Sequence, residues 1–242
     1  MLKIVIADSY DQVSEEAFKI MRQVVEKENP VLGLATGSTP VGLYKKMIAD
    51  HKTNGTSYKN AITFNLDEYV GLPRNHEQSY YTFMHDNLFN EIDVPEENIH
   101  IPNGEAVDPE AECVRYESEM AKYVVDVQVL GIGSDGHIAF NEPGAAFDSL
   151  THTMELTEQT RKDNARFFDG DIDQVPTLAI TQGLGTIMRA KKIILIATGA
   201  NKADAVYGMI KGPKTTDCPA SILQDHPDVT VILDEEAAAK IK

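Results

Sequence analysis

Apolar positions along the chain follow two rhythms that alternate. Short, β-branched runs at 2–7, 31–35, 61–66, 192–197 and 229–233 have the length and the bounding turns of buried strands. Between them the apolar residues recur at helical spacing. The clearest case is 11–28, where Val13, Ala17, Ile20, Met21, Val24 and Val25 fall at i, i+4, i+7, i+8, i+11 and i+12, and Asn29-Pro30 stops the run. Further helices are expected from Pro40 to about residue 50, at 79–90, 157–168, 182–190 and 201–211, and from 235 onward. One more runs from Asp108 to about residue 122, with Pro109 at the favoured first position. Thr157 is a plausible cap for the 157–168 helix. Weaker extended pieces lie at 99–102, 151–156 and 178–181, and a turn or two at 221–226. The longest apolar run, 123–132, reads as a central strand covered on both faces. Strand–helix alternation predicts an α/β fold with an open, mainly parallel sheet and helices on both faces. No linker or repeat interrupts it, so one domain over 1–242 is expected.

Charge and cysteine usage narrow this picture. The chain has 242 residues with a formal net charge of -16, which argues against nucleic acid and anionic membranes as partners. An anionic substrate would need a local cationic patch against that global sign. The first residues carry one lysine and too short an apolar run for a signal peptide, and no run approaches transmembrane length. Two cysteines without a CxxC pattern suit free thiols in a reducing cytosol, so a cytoplasmic location is expected.

The stretch 129–144 is the richest in chemistry. Gly131-x-Gly133-x-x-Gly136 satisfies the dinucleotide-binding pattern, but that pattern needs a helix to open at the third glycine. Here Pro143 and Gly144 follow within a few residues, so no helix opens and no nicotinamide or flavin site is expected. What remains is a loop at a strand's end carrying Asp135, His137 and Glu142. An imidazole flanked by two carboxylates can be held in one tautomer and made more basic. The same residue types could ligate a metal. His152 is the only other nearby histidine, and metal sites generally recruit more than one imidazole or thiolate, so no metal is expected.

Three other places add to it. Thr36-Gly37-Ser38-Thr39-Pro40 joins a strand to a helix. Gly37 allows close backbone approach, Ser38 and Thr39 offer hydroxyls, and the helix N-terminus favours an anion. The GxxxxGK[ST] spacing of a P-loop is missing. Asp67-Glu68 ends an apolar strand, a good position for a proton-transferring carboxylate. From 186 to 216 there are six basic side chains against one acid, and of these Lys202 alone follows a buried strand closely enough to aim inward. Arg166 lies in Asn164-Ala165-Arg166-Phe167-Phe168. Together these imply a small phosphorylated ligand, bound by donors and cations and worked on by carboxylates and an imidazole. Isomerase, deaminase and hydrolase chemistry on a sugar phosphate all remain open on this basis.

The chain resembles the glucosamine-6-phosphate deaminase (isomerase) family over nearly its whole length. The matching stretches are Thr-Gly-Ser-Thr-Pro at 36–40, Phe-Asn-Leu-Asp-Glu-Tyr-Val-Gly-Leu at 64–72 and Ser-Tyr-Tyr-Thr-Phe-Met at 79–84. They continue with Gly-Ile-Gly-Ser-Asp-Gly-His-Ile-Ala-Phe-Asn-Glu-Pro at 131–143, Asn-Ala-Arg-Phe-Phe at 164–168 and Gly-Ala-Asn-Lys-Ala at 199–203. The resemblance implies a Rossmann-like sheet. It also implies cofactor-free conversion of glucosamine 6-phosphate and water to fructose 6-phosphate and ammonia, in amino-sugar catabolism. By matching position, the phosphate would lie on Gly37, Ser38 and Thr39 under Arg166 and Lys202. His137, with Asp135 and Glu142, would open the sugar ring, and Asp67 would carry the proton from C2 to C1. Partial burial of Asp67 is then expected.

Two alternatives share the scaffold. The 6-phosphogluconolactonases resemble this chain in the phosphate loop and the Gly-x-Gly-x-Asp-Gly-His core. They usually continue with a Ser-Leu-Phe-Pro-Gly type stretch and carry Asp-Glu-Arg where this chain has Asp67-Glu68-Tyr69, so Ile138 to Pro143 here points to the deaminase. A non-catalytic sugar-phosphate sensor would lack one of Asp67, His137 and Glu142 and carry a DNA-binding module. Certain long family members are regulated hexamers. This chain ends at Lys242, which favours a smaller form, a monomer or small homo-oligomer. The polar segment 151–170 is the expected lid.

Overall fold

The computed structural model describes residues 2–242. Seven parallel strands form the central sheet: β1 (Lys3–Ala7), β2 (Val31–Leu34), β3 (Ile62–Asn65), β5 (Ile99–His100), β6 (Val127–Leu130), β9 (Ile193–Ala197) and β10 (Val229–Asp234). Their order is β1-β10-β9-β6-β2-β3-β5, and every pairing is parallel. The helices are α1 (Tyr10–Val25), α2 (Val41–Asn54), α3 (Tyr80–Asn87), α4 (Pro109–Met120), α5 (Glu158–Asn164), α6 (Leu184–Ile187) and α7 (Ala203–Lys211). They flank the sheet, whose inner strands β2, β6 and β9 are buried along their whole length. That burial is why these strands read as unbroken apolar runs.

The strand order creates a crevice. From β2 the chain moves outward through β3 to β5, then crosses back to β6 on the other side of β2 and continues to β9 and β10. The connections therefore diverge between β2 and β6, and ligands bind at the carboxyl ends of strands beside such a switch. The loops after β9, β6, β2 and β3, which open at Thr198, Gly131, Ala35 and Leu66, all begin at that edge.

A second sheet, absent from the sequence reading, has three antiparallel strands, β4 (Asp67–Tyr69), β8 (Leu178–Thr181) and β7 (His152–Glu155), in the order β4-β8-β7. Asp67-Glu68-Tyr69, read from the sequence as the end of the 61–66 strand, is thus a strand of its own. Leu66 N–H bonds Leu34 O across to the main sheet, and Gln182 N–H bonds Leu66 O from the second sheet. So the chain changes sheets at Leu66 and delivers Asp67 at the junction.

Three element boundaries need correction. The central strand spans Val127–Leu130, much shorter than 123–132. Buried Asp126 interrupts it: its carboxylate accepts from Val31 N and pairs with Lys27 and Lys191. The segment from 235 onward forms turns rather than a helix, although Ala237 and Ala238 are buried. Few residues remain there to propagate a helix once nucleated, and the Asp234 carboxylate takes Ala237 N–H locally. The 182–190 helix shrinks to Leu184–Ile187. Gly131 to Gly144 opens no helix, as expected. No described helix is long and apolar enough to cross a membrane.

Gly33 marks where the buried sheet tolerates no added atom. A Cβ there would stand 2.0 Å from Gln128 Oε1 on the neighbouring strand. Overpacking of this kind costs about 1–3 kcal/mol. Gly33→Ala is expected to lower the urea midpoint accordingly without changing the m-value; an unchanged midpoint would show that Gln128 moves aside freely.

Candidate active site

Seven of the nine residues singled out in the sequence line one cavity of about 190 Å³ at the switch edge: Gly37, Ser38, Thr39, Asp67, His137, Arg166 and Lys202. Asp135 and Glu142 do not reach its wall. They stand behind His137, with Asp135 Oδ1 at 2.8 Å and Glu142 Oε2 at 3.7 Å from its Nδ1.

Glycine makes the imidazole's seat. A Cβ at Gly133 would lie 2.2 Å from His137 Cε1 and 2.6 Å from Nε2, so the ring rests flat on that backbone. Gly133 N–H bonds His137 O, closing the loop. Ala139 adopts φ 51°, in the left-handed region that non-glycine residues seldom enter. The loop is held there by buried Asn141, whose amide donates to Ile138 O and Gln182 O.

Asp135 Oδ1 accepts from His137 N–H and lies close to Nδ1, though off the ideal line of the Nδ1–H bond. Burial works to raise the Asp135 carboxyl, but the imidazole and amide of His137 outweigh it and bring the pKa down to about 2. A fixed anion beside Nδ1 favours the proton on that nitrogen and leaves Nε2 as the free acceptor. Glu142 is buried and divides its oxygens. Oε1 accepts from Thr160 Oγ1 at 2.5 Å and Thr157 Oγ1 at 3.3 Å, while Oε2 has no partner other than the approach to His137. One carboxylate oxygen each from Asp135 and Glu142 and one ring nitrogen of His137 fall within 4.8 Å of one another. A cation placed there would find one imidazole nitrogen, and Glu142 Oε1 already engaged.

Asp67 differs from Asp135. It is 6% exposed, and no described residue donates a hydrogen bond to its carboxylate. Tyr69, Tyr80 and Phe140 line the cavity with it and pack on one another at centroid distances of 4.8–6.0 Å. Burial, with the charge of Glu68 beside it, pushes the Asp67 carboxyl up to about 8. Strand alternation turns Glu68 to the opposite side. There its carboxylate accepts from the backbone N–H groups of Tyr69, Tyr80 and Tyr81, at the start of α3. Burial pushes Glu68 up as well, and those three amides oppose it. Of the two adjacent acids, one caps a helix and the other faces the cavity without a partner.

Two cations line the same cavity. Gly37 has φ 86°, a conformation that favours glycine, and Pro40 leads into α2. Lys202 is half-buried beyond β9. Burial lowers its ammonium pKa, offset by the Asp163 carboxylate and reinforced by Arg166. Arg166 is exposed and lies 4.7 Å over the Phe167 ring. Of the remaining basic residues between 186 and 216, Arg189, Lys191, Lys192 and Lys214 pair with carboxylates elsewhere. Only Lys202 of that run borders the cavity.

The 151–170 segment covers the cavity through Thr160, Asp163, Asn164, Phe167 and Phe168. It is tied down by the β7–β8 pairing, by Thr151 on Glu117 and by Thr160 on Glu142. Thr157 caps α5 as expected, accepting from Thr160 N–H; sequence reasoning missed the bonds of Thr157 and Thr160 to Glu142 and the capping role of Glu68. Period-2 alternation could have separated Glu68 from Asp67. Nothing local in the sequence links Thr160 to Glu142.

The chain matches a family profile described as glucosamine-6-phosphate isomerases/6-phosphogluconolactonase over residues 7–232. It is 52% identical over 242 residues to a glucosamine-6-phosphate deaminase of Thermoanaerobacter pseudethanolicus, covering 99% of this chain and 95% of the relative. Against glucosamine-6-phosphate deaminase 2 of Bacillus subtilis it is 49% identical, covering 100% and 98%. A solved monomeric glucosamine-6-phosphate deaminase superposes with TM-score 0.96 at 45% identity, covering 98% of this chain and 99% of that one. The 6-phosphogluconolactonase of Trypanosoma brucei shares the fold, with TM-score 0.82 at 22% identity and coverage of 100% and 99%.

Replacing Gly133 tests the imidazole seat. Gly133→Ala should displace His137 and lower kcat by on the order of a hundredfold, the scale of a misplaced catalytic group, while circular dichroism stays native. Full activity would mean that the ring's position is not critical.

Proposed function

The chain belongs to the family of glucosamine-6-phosphate isomerases and 6-phosphogluconolactonases, and within it we infer a glucosamine-6-phosphate deaminase: it converts D-glucosamine 6-phosphate and water to D-fructose 6-phosphate and ammonia. What supports the residue assignments is that cations, carboxylate and imidazole share one cavity. Arg166, Lys202 and the loop that leads into α2 line it together with the buried Asp67 carboxylate and an imidazole backed by two further carboxylates.

In this reading the phosphate binds to the Gly37–Thr39 loop. Arg166 engages two of its oxygens in a planar fork, and Lys202 supplies a point charge. His137, its Nδ1 backed by Asp135 and Glu142, uses Nε2 to move the proton between the C1 hydroxyl and the ring oxygen, opening the pyranose. Asp67 then removes the C2 proton, giving an enolamine, and returns a proton to C1, giving the imine of fructose 6-phosphate. Water adds at C2 and ammonia leaves. Such a shuttle favours a carboxyl whose pKa lies near the working pH. The apolar surroundings of Asp67 supply that condition, since burial disfavours its charged form. We place the enzyme in the cytoplasm, where Cys113 and Cys218, both unpaired, stay reduced. We propose a monomer or small homo-oligomer, in line with the monomeric solved relative.

Comparing ammonia release from glucosamine 6-phosphate with hydrolysis of 6-phosphogluconolactone tests the activity. Ammonia release with negligible lactone hydrolysis is expected, and the reverse would assign the chain to the lactonases.

Asp67 has a paired prediction. It must be ionised to take the C2 proton, so kcat/KM should rise with pH through about 8. Asp67→Asn should lose turnover by on the order of a hundredfold or more. A carboxyl raised by folding binds its proton more tightly folded than unfolded, so its stabilising contribution declines as pH rises from the ordinary carboxylate range through about 8. Asp67→Asn should therefore raise Tm near pH 8. Near-normal turnover in this variant, or a lower Tm, would remove Asp67 from the mechanism. Arg166→Ala and Lys202→Ala should raise KM more than they lower kcat; an unchanged KM in both would displace the phosphate site.

A further inference from the structure

The loop read here as the phosphate seat has no side-chain cap of its own. Pro40 occupies the cap position of α2 and bonds none of its first amides through its side chain. Two phenols from outside the loop brace it instead. Tyr44, near the start of α2, donates to Ala35 O and accepts from Ala35 N at the loop's beginning. Tyr10, the first residue of α1, reaches the other end. Its hydroxyl accepts from Gly42 N–H at 2.8 Å and lies 3.0 Å from both Ser38 O and Thr39 O, donating into the pair. The two helices approach this closely because residue 42 has no Cβ. One built there would stand 2.1 Å from Ser14 Oγ and 3.0 Å from Tyr10 Cε1.

Ser38 and Thr39 line the cavity, and Tyr10 does not. Tyr10 therefore holds their carbonyls from the far side of the loop. In a planar trans peptide the C=O and the following N–H point in opposite directions. Drawing Ser38 O toward Tyr10 turns Thr39 N–H away from it, to the cavity side. Released from the phenol, that peptide could rotate and present a carbonyl dipole to a dianion, which repels it.

We infer that Tyr10 is a positioning residue for phosphate binding, keeping Thr39 N–H of the 37–39 loop aimed at the phosphate of the substrate. This rests on the reading of Gly37, Ser38 and Thr39 as the phosphate seat. Tyr10 touches neither substrate nor reacting atoms. Its effect falls on binding of the phosphate, which stays the same through the reaction, and so on KM more than kcat.

Tyr10→Phe keeps the ring and removes the hydroxyl. KM for glucosamine 6-phosphate and Ki for inorganic phosphate should rise together, by roughly ten- to a hundredfold, the scale of a hydrogen bond to a charged group. The value of kcat should hold within about twofold. Ser14→Ala is the control for packing. It lies on the same seam, and its hydroxyl donates to Tyr10 O, not to the loop. It should leave both constants unchanged. Unchanged KM and Ki in Tyr10→Phe, beside a raised KM in Arg166→Ala, would overturn the role of Tyr10 and leave the phosphate seat standing. If neither variant moves KM, the seat itself is misplaced and the inference falls with it. An equal rise in Ser14→Ala would assign the effect to a loosened seam and overturn the inference too.

Discussion

Two neighbouring parallel strands, β2 and β6, send the chain in opposite directions, and the site depends on that divergence. Parallel strands need long crossovers, and crossovers that part from each other leave a gap that neither fills. At their carboxyl ends backbone amides and short loops face water instead of a helix. The cavity occupies that edge, with Gly37–Thr39 after β2 and the His137 loop after β6. The outer neighbours β3 and β9 complete it by delivering Asp67 and Lys202. A small second sheet then does what the first cannot. Its strands β8 and β7 hold Asp67 from one side and carry the covering segment over the other.

Within this frame neighbouring acids acquire opposite characters from their surroundings. Asp135 is held as a strong anion by the imidazole and amide of His137, whereas burial and the neighbouring Glu68 drive Asp67 toward its neutral form. Glu68 and Glu142 spend most of their oxygens on backbone amides and threonine hydroxyls. The separation suits a sequence of proton transfers, because one group stays charged while the other changes state. The cations meet a further constraint. In a chain of net charge -16, most basic residues near the site are consumed by ion pairs, leaving Lys202 and Arg166 beside the cavity.

Much of this was legible in the chain. The parallel sheet followed from buried runs such as 192–197, and the failed dinucleotide pattern from Pro143 and Gly144. Gly37, Asp67, His137 and Lys202 stood out because each follows an apolar strand, and strand ends are where parallel sheets bind ligands. What stayed hidden depends on long-range pairing. Asp67–Tyr69 reads as the end of the 61–66 strand until β8, over a hundred residues later, pairs with it in a second sheet. The length of the central strand depends on Asp126 meeting two lysines far away in sequence. The hold of Thr160 on Glu142 and of Tyr10 on Ser38 likewise joins residues with no sequence signal between them.

The central claim is that one carboxylate, on one side of the bound sugar, moves the proton from C2 to C1. Turnover of glucosamine 6-phosphate in deuterium oxide, with NMR of the fructose 6-phosphate formed and assay of ammonium, tests this directly. A single base fixed beside the substrate adds the new C1 hydrogen from one face only. Any deuterium at C1 should therefore occupy one of its two positions, with one ammonium released per ketose. Deuterium divided between both C1 positions, or ketose formed without ammonium, would contradict it.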